Sequence, residues 1–247
     1  MIVIAHLSDL HLDGGARAAD RARRVAGFLD ALPYDFDAVL VTGDIADHGR
    51  AAEYEEAREL LALRHPTLVC PGNHDDRAEF RRVLLGEPAA EGPINQVRRT
   101  ARAVYALCDS TIPGEDGGRL DEQTLDWLAG VLAETPGDVP VFVAFHHQPV
   151  VLHHPALDPI GMDAPDRLAA LLARHPNVAA VLCGHCHGAV AATLGGRPLR
   201  AAPGVVNALR LPWEAAPGPM DHDVPPSLAV HILDDDGQFL TYYRTVP

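Results

Sequence analysis

Cysteine is scarce: Cys70, Cys108, Cys183 and Cys186 are the only four in 247 residues, too few to frame a disulfide scaffold. Two of them fall inside apolar runs, where reduced thiols are at home, and a cytoplasmic location is the resulting expectation. No apolar run is long enough to span a bilayer. The apolar start, Met1 to Leu7, has neither a basic flank nor a small-residue cleavage site, so it reads as a first strand and not an export signal. Basic residues are also in short supply. Twenty Lys and Arg against 34 Asp and Glu leave a formal charge of -14, which repels nucleic-acid polymers and anionic membrane surfaces. A small-molecule substrate is easier to accommodate. Internal repeats and low-complexity tracts are missing too, so residues 1–247 are expected to form a single domain.

What is present is a globular composition, 47% hydrophobic and 22% charged, with enough apolar material for a substantial core. Short, often β-branched runs at Ile2 to Ile4, Ala38 to Val41, Thr67 to Cys70, Val141 to Phe145 and Val178 to Cys183 predict strands buried on both faces. Amphipathic stripes lie between them: Val25, Phe28, Leu29 and Leu32, then Leu125, Leu128 and Leu132, then Leu168, Leu171 and Leu172. Asp121 is placed to cap the second of these helices. Alternating strands and helices imply an α/β fold with a largely parallel sheet. From Ala189 onward closely spaced strand-like pieces with Gly or Pro turns predict a second, more antiparallel sheet. Pro212 to Pro226 lacks periodicity and reads as a long surface loop of the kind that borders active sites.

Each of the five buried-strand candidates is followed by a short polar cluster: Asp9-Leu10-His11, Gly43-Asp44-Ile45-Ala46-Asp47, Gly72-Asn73-His74-Asp75, His146-His147 and Gly184-His185-Cys186-His187. Strands of a parallel sheet end on one edge, where α/β folds place ligands, so the clusters are expected to converge. Carboxylate, amide oxygen and imidazole together suit Mn, Fe or Zn, and the thiolates of a structural zinc site are missing. Seven donors exceed what one ion takes from protein. Two ions sharing a bridging carboxylate accommodate them and leave room for water and substrate.

These clusters resemble the calcineurin-like metallophosphoesterases, whose motifs D-x-H, G-D-x-x-D, G-N-H-[DE], H and G-H-x-H all occur here in order from Asp9 to His187. The resemblance implies a four-layer α-β-β-α sandwich of metallo-dependent phosphatase type, with two mixed β-sheets and two divalent or mixed-valence ions. Carried over by motif, Asp9, His11 and His187 hold the first ion, Asn73, His146 and His185 the second, and Asp44 bridges them. His74 is then left to stabilise or protonate the leaving oxygen, with Asp47 hydrogen-bonded to its ring. Gly72 to Asp75, His146 to Pro149 and Asp109 to Gly114 look closest to class III cyclic-nucleotide phosphodiesterases and related glycerophosphodiesterases. The implied activity is hydrolysis of a small phosphodiester, cyclic nucleotides first and glycerophosphodiesters second, in a chain whose resemblance mildly favours a homodimer.

Other readings stay beside this one. A nuclease is disfavoured by the charge, and a protein-binding scaffold without catalysis has no need of an intact donor set. His6, His65, His175, His222 and His231 are expected to be structural or surface groups, while His147, His153 and His154 sit where they could meet substrate. Asp75 serves equally well as a support for the site or as a turn residue. Cys183 to Cys186 has C-x-x-C spacing but ends a strand, where redox motifs normally open a helix.

Overall fold

The computed structural model describes all of residues 1–247. In chain order the strands are β1 (Ile2–Leu7), β2 (Ala38–Thr42), β3 (Thr67–Cys70), β4 (Gln96–Arg99), β5 (Val104–Leu107), β6 (Val141–Ala144), β7 (Val178–Cys183), β8 (Val190–Leu194), β9 (Arg197–Ala201), β10 (Ala208–Leu209), β11 (Met220–Asp221), β12 (Ser227–Leu233) and β13 (Phe239–Thr245). The α-helices are α1 (Ala16–Ala31), α2 (Ala51–Leu60), α3 (Arg77–Phe80), α4 (Glu122–Glu134) and α5 (Pro165–Ala173).

Two mixed sheets form, one in the order β13-β12-β1-β2-β3 and the other in the order β4-β5-β6-β7-β9-β8. Within them β1, β2 and β3 are parallel, as are β5, β6, β7 and β9. The sequence of β2 explains the layering. Its side chains alternate, so Ala38 and Leu40 enter the apolar layer between the sheets while Val39 and Val41 pack toward α1 and α2. The run is apolar throughout because both faces are covered. Tyr105 and Phe142 stack at 5.6 Å in the same inter-sheet layer. Leu40 is fully buried there, so Leu40→Ala is expected to remove about 2–5 kcal/mol of stability.

The outer face of the second sheet packs on α4 and α5 through Leu128, Leu168 and Leu172. The resulting layers are helix, sheet, sheet, helix, as the family resemblance implied. α1 buries Val25 and Leu29 from its predicted stripe, and α4 starts at Asp121, whose carboxylate accepts from the Thr124 N–H at 2.7 Å.

The late strands correct the sequence reading. They do not make a sheet of their own: β8 and β9 extend the second sheet, and β12 and β13 extend the first beside β1. Between β9 and β12 the only strands are Ala208–Leu209 and Met220–Asp221, paired in a short ribbon whose second strand lies inside the expected loop. Strands β4 and β5 were not anticipated, the first because it is an edge strand carrying Arg98 and Arg99 on exposed positions.

Candidate metal centre

Because the strands divide three and two between sheets, the polar clusters converge differently from the expected single edge. β1, β2 and β3 deliver Asp9, His11, Asp44, Asp47, Asn73 and His74 from one sheet, while β6 and β7 deliver His146, His185 and His187 from the other. The two sheets end on the same side, and their seam is the site.

Backbone bonds continue the β1–β2 pairing past the strand ends. The Asp9 N–H donates to the Gly43 carbonyl (3.2 Å), that of His11 to Asp44 (2.9 Å) and that of Asp47 to Leu12 (2.9 Å). This zipper sets Asp9 and His11 alongside Asp44 and Asp47. Gly43 is required here: it has φ +85°, and a Cβ would overlap the His146 ring.

His146 Nε2 lies 3.1 Å from Asn73 Oδ1, 3.1 Å from His185 Nδ1 and 3.3 Å from Asp44 Oδ2. On the other side of Asp44, its Oδ2 is 3.4 Å from His11 Nε2, which faces His187 Nε2 at 3.3 Å; His187 Nε2 is 3.6 Å from Asp9 Oδ1. Two donor sets therefore share one carboxylate. The sequence-predicted donors come together without exception.

Do these groups fit a metal? His11 gives its Nδ1 to Asp47 Oδ1 (2.8 Å), and His146 gives its Nδ1 to the Thr42 carbonyl (2.7 Å). In the neutral tautomer each Nε2 then presents a lone pair to carboxylate, amide or imidazole atoms that are themselves acceptors. Such a nest is repulsive unless a cation or extra protons fill it. Donors about 2.1 Å from one ion stand roughly 3.0–3.4 Å apart, close to the separations observed. Buried Asp9 Oδ2 and His187 Nδ1 have no partner in the protein. The residues fit two ions.

Electrostatics agree. Burial alone would push the His146 pKa down, but the Asp44 charge and hydrogen bond, with Asp9 and the Thr42 carbonyl, carry it up to about 9. His11 is raised in the same way, burial being outweighed by Asp47, Asp44 and Asp9. Burial would raise Asp44, yet His146, His11 and His74 hold its carboxyl well below the usual range. His185 is driven down to about 3 by burial and by the neighbouring His146.

The expected pairing of His74 with Asp47 needs correction. His74 Nδ1 donates to the Asp47 backbone carbonyl at 2.9 Å, whereas the Asp47 carboxylate stands 3.6 Å away and is committed to His11. Asp47 thus orients His11 with its side chain and His74 with its main chain. Asp75 proves to be a support: its carboxylate accepts from Ile45, Ala46 and Gly72 N–H groups and from the Tyr54 hydroxyl. Burial and the Asp44 charge push its pKa up to about 6.

His74 is exposed and borders two cavities, of about 390 and 410 Å³, that flank the donors. Met220 lines both, and His222 lines one. The expected long loop thus borders the site, and exposed His222 faces it. Among the other histidines, His147 is buried on Ser110 Oγ at 2.8 Å, His154 is buried and His153 is exposed. His65 is buried against Phe36 and Leu29, and His6 and His231 form a core pair. Asn207, which no motif marks, lines the smaller cavity with its buried Oδ1 unpartnered. All four cysteines are free and buried.

Two donor sets about one carboxylate, at the strand ends of an αββα sandwich, define a dinuclear metal-centre scaffold. The family model for calcineurin-like phosphoesterases matches residues 2–189. The glycerophosphodiester phosphodiesterase GpdQ of Enterobacter lignolyticus is 37% identical over 202 residues, 75% of this chain and 71% of that protein. A cAMP/cGMP dual specificity phosphodiesterase of Mycobacterium tuberculosis is 34% identical over 81% of this chain and 66% of its own length, just under two thirds. The crystal structure of a dimetal phosphatase from Danio rerio superposes with TM-score 0.71 at 17% identity, over 100% of this chain and 96% of that one, a likeness of fold. The chain belongs to the calcineurin-like phosphoesterase family. No helix is long and apolar enough to cross a membrane.

Proposed function

We propose that this phosphoesterase hydrolyses small-molecule phosphodiesters, with 3',5'-cyclic nucleotides as the favoured class. The observation that carries the reading is the pair of donor sets sharing Asp44, with His74 free beside them. Asp9, His11 and His187 would hold one ion, Asn73, His146 and His185 the other, and Asp44 both. Two bound Mn, Fe or Zn ions supply Lewis acidity toward the phosphoryl oxygens and lower the pKa of an attacking water.

The chain's own contribution is orientation and proton transfer. Asp47 and the Thr42 carbonyl fix the rings of His11 and His146, so that each Nε2 is aimed at the site. His74, with Nδ1 tied to the Asp47 carbonyl, keeps Nε2 for the leaving oxygen, and general-acid help of this kind is worth about 10²–10⁴ in rate. The cavities beside His74 give room for the nucleoside that carries the cyclic phosphodiester.

A linear glycerophosphodiester is the second reading, favoured by the 37% identical relative. The test is steady-state hydrolysis of 3',5'-cyclic AMP and of a glycerophosphodiester by protein stripped of metal and reloaded with Mn. A metal-dependent preference for the cyclic substrate in kcat/KM supports the favoured class, and the reverse preference moves the assignment to the linear one. Inactivity on both would favour a non-catalytic scaffold.

A further inference from the structure

The apolar layer between the sheets contains a polar chain that the proposed chemistry leaves unused. His6 on β1 and His231 on β12 are both 0% exposed. His6 shares the inward face of Ile2 and Ile4 on its strand, a position that would suit an aliphatic side chain. Its Nδ1 meets His231 Nε2 at 3.0 Å, and His231 Nδ1 meets Thr241 Oγ1 at 2.9 Å. At the other end His6 Nε2 meets Thr42 Oγ1 at 2.9 Å. Two neutral rings with one N–H each satisfy all three contacts in either direction.

Thr42 is the last residue of β2, and its carbonyl lies at the seam. It accepts from His146 Nδ1 (2.7 Å), which belongs to the opposite sheet, and from Ser8 Oγ (2.9 Å) at the end of β1. A side chain on Gly184, just after β7, would overlap both Ser8 and that carbonyl. One residue is thus gripped by its hydroxyl from the core and grips a candidate metal donor with its carbonyl.

We propose that Thr42, His6 and His231 are positioning residues, which fix the Thr42 carbonyl between the sheets and so aim His146 Nε2 at the second donor set. The proposal rests on His146 being a metal donor. A wholly structural network would instead stabilise the core without affecting His146.

Thr42→Val replaces the hydroxyl by a methyl of the same shape, and Thr42→Ser keeps the hydroxyl. Mn binding to the stripped protein would be titrated calorimetrically for both, with His146→Ala identifying which equivalent belongs to the second donor set. In the metal-free protein, the ¹H and ¹⁵N shifts of His146 Nδ1–H report its hydrogen bond to the Thr42 carbonyl. The expected result is that Thr42→Val weakens that equivalent about 3-fold, short of the roughly 10-fold that follows when the outer hydrogen bond to a ligand is itself removed, because the Thr42 carbonyl remains. The other equivalent stays unchanged, the His146 Nδ1–H resonance shifts as its bond to the Thr42 carbonyl loosens, and Thr42→Ser restores both. Wild-type binding and an unchanged His146 resonance in Thr42→Val, whatever its melting temperature, would overturn the proposal. If Thr42→Val does not fold, Thr241→Val at the far end of the chain is read by the same two criteria. Should the wild type bind no second equivalent, the donor assignment fails, and the metal-free resonance still decides whether the network orients His146.

Discussion

Lowering the pH from 7 to 5 should destabilise the fold through the His6–His231 pair, by an amount the structure allows to be worked out. Burial pushes the His6 pKa down to about 3, and burial followed by the His6 and Arg200 charges pushes His231 well below its usual value of 6.5. Between 6.5 and the folded value the unfolded chain therefore takes up protons that the folded chain refuses. The stabilisation is complete above pH 6.5 and is lost as pH falls. Each unit below 6.5 costs about 1.4 kcal/mol per histidine, so pH 5 removes roughly 2 kcal/mol for each ring. Urea unfolding of wild type and His231→Gln at both pH values isolates the effect, since the metal-donor histidines titrate alike in the two proteins. Glutamine can still bond His6 but has no proton to gain. Wild type is expected to lose about 2 kcal/mol more than the variant over this interval. Parallel losses would show that His231 is not held neutral and would refute the reasoning.

Three further outcomes follow from the site and its supports. His74→Ala should keep its metal by elemental analysis yet lose about 10²-fold or more in kcat, and a turnover near that of wild type would remove His74 from the reaction. Asp47→Asn removes the anionic partner of His11 Nδ1 and should weaken the first metal equivalent about 10-fold in a calorimetric titration, with no change counting against that role. Asp121→Ala deletes the cap on α4 and should lower the unfolding free energy by about 1 kcal/mol, an unaltered denaturant midpoint being the contrary result.

The donor set was legible because its chemistry is local. A Gly-Asp, Gly-Asn or Gly-His pair directly after an apolar run announces a tight turn at a strand end, and the residue types name the ligand chemistry. The partition of strands between sheets was not, because the central strands of either sheet bury one face between the sheets and the other under helices, so the same apolar run serves both. Val178–Cys183 and Ala38–Thr42 look alike in sequence but lie in different sheets. The destination of β12, and of β13 beside it, depends on a pairing across most of the chain, with His6 opposite Ala229, and that of β8 and β9 on the parallel pairing of β9 with β7. Thr42 and His6 were equally hidden. Nothing in Leu40-Val41-Thr42 marks its last residue as a junction, and a lone histidine in an apolar strand reads as a satisfied core group, which His6 also is.

Backbone strain gives the site a further signature that sequence patterns do not carry. Seven residues other than glycine have positive φ, and five of them are candidate donors: Asp9 (56°), His11 (44°), Asp44 (48°), His185 (66°) and His187 (51°). A left-handed residue costs roughly 1–2 kcal/mol when it bears an ordinary side chain and less for Asp or His, which enter the region several-fold more readily, so the five together hold roughly a few kcal/mol against the fold. Flanking backbone bonds oppose it, such as Val206 N–H to Asp9 and Leu209 N–H to His187. At His187 the strain adds to a buried, unpartnered Nδ1. His187→Asn should therefore have different effects in two conditions. Asparagine tolerates the left-handed region and sets an amide atom where Nδ1 stood, so metal-stripped protein should keep the stability of wild type to within about 1 kcal/mol. With Mn present the variant should melt below wild type, because wild type gains binding energy from a donor that the variant lacks. A loss of about 2 kcal/mol in the stripped protein, as for an ordinary buried side chain, would mean that His187 supports the fold and that strain at the donors is not what metal binding offsets.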